Sequence, residues 1–177
     1  VQSADVITLV HPNHAPRELR RLGATQWELR VIDFGSPLSA PTISNVVGYI
    51  PSSTSTNSDT YQTHEYVVTA VKSNLVDESN QSVSVSTQNN IFVTGAKNTI
   101  SWSGVSGASR YRVYKQQGGI YGFLGETTAT TLADDNISPD FSRTPPIHEN
   151  DFVGTGNYPG AVSYFEQRRV FAGTNNA

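Results

Sequence analysis

Apolar and polar residues alternate with a period of two along several short runs of this chain. That spacing turns one side of a β-strand toward a core and the other toward water. Between Tyr61 and Val71 one face carries Tyr66, Val68 and Ala70 and the other Glu65, Val67 and Thr69. Arg110–Lys115 repeats the pattern with Tyr111 and Val113 together. Ile100 and Trp102 share a face of Asn98–Ser103, and Val83 and Val85 share one of Ser82–Thr87. Nearer the start, Asp5–His11 reads as a strand and Arg17–Leu22 as a second short strand or a turn of helix. Trp27, Leu29 and Val31 alternate with Glu28 and Arg30. The alternation then shifts to Ile32 and Phe34 around Asp33, which predicts a bulge.

The breakers between these runs set the predicted connections. Pro12–Pro16 is expected to be a loop, Lys72–Ser79 a hairpin connection, Gly104–Ala108 a turn and Gln116–Gly119 a hairpin turn. Pro41–Gly48 is expected as an edge strand, and the polar tract Ser52–Asp59 as a mobile surface loop. Tyr121–Thr127 and the run through Leu132 add further strands. Thr144-Pro145-Pro146 breaks the chain, and Ala161–Gly173 reads as one strand after a turn at Asn157–Gly160. The expected organisation is a meander over 1–34, a β-sandwich over 35–144, and a linker and returning strand over 145–177. The meander and the last strand are each too small to bury a core alone.

Composition strengthens the all-β expectation. Among 177 residues hydrophobic content is 36% and charged content 15%, with 14 Gly and 9 Pro. The polar balance is carried by Ser, Thr, Asn and Gln, which sit well on the open faces of antiparallel sheets. A formal net charge of −3 gives no basic field for a nucleic-acid backbone. No apolar run is long enough to span a membrane as a helix. With no Cys there is no disulfide framework and no thiolate chemistry, and with no Met the sequence reads as a piece of a longer chain.

Ile100-Ser-Trp102, Gly107-Ala-Ser-Arg-Tyr-Arg-Val-Tyr114 and Thr130-Thr-Leu-Ala-Asp134 resemble fibronectin type III domains, and Tyr66-Val-Val-Thr-Ala-Val71 with Glu78-Ser79 resembles that family's last hairpin. The resemblance implies an antiparallel sandwich with Trp102 filling the middle of the core, faced by Tyr111 and Val113. The chain order departs from the family, because the Tyr66 hairpin precedes the Trp102 strands. The expectation is one sandwich with permuted strand order rather than two partial domains. The flanks, Val10–Arg21, Trp27-Glu-Leu29 and Tyr164–Thr174, resemble segments of tubular or nozzle-type tail proteins of short-tailed bacteriophages. That implies a virion protein assembled in the bacterial cytoplasm, with the sandwich inserted in a propeller-like body. Its partners would be other subunits and neighbouring tail proteins, with a host surface as a further contact.

Candidate chemistry is sparse. His11 and His14 are too few for a metal site. Asp134, Asp135, Asn136 and Asp140 form a loop carboxylate cluster without the spacing of a calcium loop, so an Asx-type turn is expected. Arg17, Arg20, Arg21, Arg168 and Arg169 crowd the flanks, where acidic neighbours favour salt bridges over nucleic-acid contacts. Tyr49, Tyr61, Tyr114, Tyr121 and Phe123 would make a carbohydrate platform only if exposed together. No nucleophile elbow or phosphate loop occurs. The expectation is therefore a non-enzymatic structural protein with no catalytic, cofactor or metal residues. The alternative is an adhesion module for carbohydrate or a host surface.

Overall fold

The computed structural model describes residues 2–3, 5–52 and 57–174, with backbone alone at Gln2 and Ser3. Half of the tract expected to be a mobile loop, residues 53–56, lies outside the described residues. Its far end, Ser58–Thr60, is one 3-10 turn capped by Asn57, whose side chain accepts the Asp59 N–H at 3.1 Å.

The chain divides into two compact units. Ser36–His148 is one, and Val1–Gly35 with Glu149–Ala177 is the other. Residues 145–148 thus group with the sandwich.

In the Ser36–His148 unit, seven strands form two antiparallel sheets. They are β5 (Ile43–Tyr49), β6 (Gln62–Val71), β7 (Val85–Asn89), β8 (Lys97–Trp102), β9 (Arg110–Gln117), β10 (Ile120–Thr127) and β11 (Thr131–Asp134). One sheet runs β11-β8-β5 and the other β10-β9-β6-β7. Both partial sets of strands therefore belong to one all-β sandwich, compatible with an immunoglobulin-like or fibronectin-like fold. The alternation explains the packing. Tyr66, Val68 and Ala70 of β6, Tyr111 and Val113 of β9, and Leu124 of β10 meet Ile43, Val46, Ile100 and Trp102 of the other sheet. Trp102 is 4% exposed and packs edge-on to Tyr111 with ring centroids 5.5 Å apart.

The polar-looking face of β6 is buried as well. Val67 and Thr69 are fully buried. A strap, residues 138–148, follows β11, passes along the edge strand β10 and ends beside Glu78. Asp140 exchanges backbone hydrogen bonds with Phe123, the Arg143 guanidinium sits 3.7 Å over the Phe123 ring, and His148 Nε2 lies 2.7 Å from the Glu78 carbonyl. Gly122 makes the approach possible, because a Cβ there would meet Pro139 at 2.9 Å.

One expected strand of this unit differs. Ser82–Thr87 is a strand only from Val85, and Val83 is 87% exposed rather than paired with Val85 on the core face. In the preceding stretch the serines substitute for a regular ladder. Ser79 and Ser82 donate N–H to the Ala70 and Val68 carbonyls and accept those residues' N–H on their own Oγ, at 2.8–3.0 Å. The Gln116–Gly119 turn forms, with Gly118 and Gly119 both at positive φ as a tight two-residue hairpin requires.

In the other unit, β1 (Gln2–Ser3), β2 (Val6–His11), β3 (His14–Arg21) and β4 (Trp27–Val31) form a meander in that order. The loop expected over Pro12–Pro16 shrinks to a two-residue turn, because His14–Pro16 already pair within β3. Arg17–Leu22 is strand rather than helix, up to Arg21. The bulge expected after Val31 is the strand's end, with Ile32 N–H still donating to the Pro16 carbonyl. Ala161–Gly173 is a hairpin rather than one strand: β12 (Ala161–Phe165) and β13 (Arg168–Ala172). Glu166 and Gln167 turn it at φ of 46° and 63°. Phe34, Phe152 and Phe171 cluster with ring centroids 5.0–5.4 Å apart, which joins the two stretches of chain that make this unit.

Candidate functional site: buried polar networks and an open apolar face

The inner-face alternation continues past the apolar core into a polar end. His64 of β6, Asn98 of β8, Lys115 of β9 and Asp134 of β11 all follow the core rows, and Asn89 of β7 joins them. Asp134 is fully buried. Its Oδ2 receives the Tyr66 hydroxyl at 2.7 Å and the Lys115 ammonium at 2.8 Å, and its Oδ1 accepts the N–H groups of Asn136 and Ile137 at 3.1 and 2.9 Å. Asn98 donates to the Tyr66 hydroxyl and Asn89 to Asn98, each at 2.8 Å. Burial and the nearby Lys115 charge press the His64 pKa below its ordinary value, and burial pushes the Tyr66 phenol up. With each charge matched, the ensemble is a closed structural plug in which a buried ion pair is satisfied by hydrogen bonds. A groove of about 340 Å³ opens beside the Asp135-Asn136 turn, lined by Phe92, Gly95 and Lys97.

A second network sits on the outer face of the four-stranded sheet. Glu78 accepts from Thr69 at 2.5 Å and from Tyr114 at 2.6 Å and pairs with Arg112, which also reaches Glu126 at 2.9 Å. Burial, and then the Glu78 contact, raise the Tyr114 pKa.

These placements dispose of several sequence candidates. The carboxylate cluster is dispersed. Asp134 spends its oxygens on its own loop and on Lys115, and Asp140 accepts the Ser142 N–H and hydroxyl at 2.9 and 2.7 Å. Both act as Asx-type caps. The carbohydrate platform does not form. Tyr114 is 2% exposed, Phe123 lies beneath Arg143, and Tyr121 donates to Glu65. His11 and His14 do meet across their hairpin, ring centroids 5.2 Å apart. Among the described residues, however, no group of three or more His, Asp or Glu could hold a metal. Nor is any helix there long and apolar enough to cross a membrane.

The flank arginines divide. Glu18, 5% exposed, binds Arg20 at 2.6 Å and Arg169 at 2.8 Å, with Arg30 at 3.6 Å. Burial alone would raise its pKa, yet the Arg169 and Arg20 hydrogen bonds hold it below the ordinary carboxylate value. Arg21 instead bonds the Gly23 carbonyl at 3.2 Å.

The opposite face of the same meander is apolar and open. The register places Leu9 beside Arg17 and Val31, and Ile7 beside Leu19 and Leu29. Trp27, Leu29 and Val31 are each 52% exposed and Leu9 44%. These large apolar side chains therefore lie open rather than packed in a core. The two-residue period at Trp27–Val31 announced the apolar row, but only the structure shows it uncovered. The serines and strap residues that complete the outer sheet face carry no periodic signal, so sequence reading missed them. Comparison of the chain with known protein families, with characterised proteins and with solved structures finds no match to any of them.

Proposed function

We propose that this chain is a non-enzymatic structural segment of a tailed-bacteriophage tail, of the tubular or nozzle type. In this reading a fibronectin type III-like sandwich is inserted in a propeller-like body and acts through protein–protein contact within the virion. The observation that carries the reading is the discontinuity of the second unit, Val1–Gly35 with Glu149–Ala177. The chain leaves it at Gly35 and rejoins it at Glu149. Asn80 ties the two ends of the sandwich together. Its N–H donates to Ser36 Oγ at 2.9 Å, and its side chain exchanges bonds of 2.6 and 3.0 Å with the His148 backbone. Adjacent ends are what an inserted domain needs. The four-stranded meander with one uncovered apolar face fits a propeller blade awaiting its neighbour.

The fibronectin-like assignment rests on neighbour relations. The Tyr66 hairpin lies beside the Tyr111 strand, and the Trp102 strand lies between β5 and β11. In this reading the β6–β7 hairpin is relocated from the end of the module to a place after its first strand.

Immunogold electron microscopy with antibody against Ser36–His148, on particles that carry this chain, is expected to label the tail. Label confined to the capsid, or purified particles without the chain, would overturn the reading.

A further inference from the structure

The edge of the meander carries more information than its apolar face. β4 is the last strand of its sheet, and all five of its residues are exposed. Leu22 N–H donates to the Gln26 carbonyl and Ile32 N–H to the Pro16 carbonyl, so the even-numbered residues hydrogen-bond inward to β3. The N–H and C=O groups of Trp27, Leu29 and Val31 therefore point off the sheet. A row of open backbone groups is a template for another strand, and proteins usually blunt it. The sandwich does so here: β5 and β10 carry register breaks, and the strap lies on β10. β4 has no Pro, no Gly and no bulge.

We propose that β4 pairs antiparallel with β4 of a second copy of this chain about a twofold axis at Leu29, joining two meanders into one continuous sheet. The sequence Trp27-Glu-Leu-Arg-Val31 is complementary to itself in this register alone. Leu29 faces Leu29 of the other copy, and its outward N–H and C=O groups match. Trp27 faces Val31, an aromatic–β-branched pair on the apolar face. Glu28 faces Arg30 on the other face, twice. Shifting the centre by one residue either way sets Glu28 against Glu28 or Arg30 against Arg30, and like charges directly opposite are destabilising. The joined sheet would also extend the apolar row of Ile7, Leu19 and Leu29 across both copies. A twofold contact of this kind uses the same patch on each subunit. The inference goes beyond the tail reading and holds whichever particle carries the chain.

Sedimentation of the full 177-residue chain tests it. The contact is small, so a concentration-dependent monomer–dimer equilibrium is expected up to about 0.5 mM, where even a weak interface near ~100 µM Kd is populated. E28R and R30E should each abolish the dimer. An equimolar mixture of the two should restore it, and so should the double variant E28R/R30E, which is again complementary to itself. E28R is the cleaner single change because Arg30 also approaches Glu18 at 3.6 Å, and unchanged melting temperatures identify folded variants. A wild-type chain that stays monomeric throughout overturns the proposal. So does a dimer that survives E28R, or a mixture of the two folded single variants that stays monomeric.

Discussion

At the residue scale, the core depends on a few side chains whose removal has no substitute. Trp102 is the largest side chain that the three-stranded sheet gives to the core, and among the described residues its indole N–H has no acceptor. Its role is therefore volume and not hydrogen bonding. Trp102→Ala is expected to lower the stability of the sandwich by about 3–5 kcal/mol in denaturant titration, and Trp102→Phe by much less. A loss below about 1 kcal/mol for the alanine variant would show that the core lies elsewhere. Gly48 lies close against the polar end, where a Cβ would meet the Asn89 amide at 3.0 Å.

Glu18 gives the clearest pH dependence. Its pKa is lower in the folded chain than unfolded, so its stabilising share is complete above the ordinary carboxylate range. That share is lost as pH falls through the lowered value. His64 has the same sign for a different reason. Its folded pKa is depressed, so stability falls as pH drops below the ordinary imidazole value. Melting of the discontinuous unit that holds Glu18 is expected to become less acid-sensitive in Glu18→Gln, with the sandwich transition unaffected. An unchanged acid limb would remove Glu18 from its stabilising role.

At the element scale, strands facing one buried layer were legible and those facing an unusual cover were not. β6 and β9 announced themselves because Tyr66, Val68, Tyr111 and Val113 alternate with polar residues against one core. The β12–β13 hairpin read as one strand because its turn is Glu166-Gln167, which lacks the Asn or Gly that normally marks positive φ. The early part of Ser82–Thr87 read as ladder, yet there serine hydroxyls replace the partner strand's carbonyls. The strap was invisible since it packs through backbone bonds, one guanidinium and a proline. Its seat depends on Gly122. Gly122→Val is expected to lift residues 138–143 and raise amide exchange at Phe123, whose N–H bonds the Asp140 and Arg143 carbonyls, by about 10-fold or more, one decade for each 1.4 kcal/mol. Exchange unchanged in that variant would mean that the strap does not protect this edge.

At the scale of the whole molecule, the two units divide the physics between them. The sandwich has a closed apolar core, a satisfied polar plug and register breaks on its edge strands β5 and β10. The discontinuous unit has a salt-bridged face around Glu18, an uncovered apolar face and an open edge. The sequence carries breakers close to both borders, near residues 35 and 145. It could not reveal that Ser36 and His148 meet on Asn80, a contact between residues 44 and 68 positions apart from it. The central claim is that the sandwich is a self-contained insert. Calorimetry of the full chain beside the excised segment Ser36–His148 tests it most directly. The account predicts that the segment unfolds cooperatively on its own, at the temperature of one of two transitions in the full chain. A single shared transition in the full chain, with the excised segment unfolded, would contradict it.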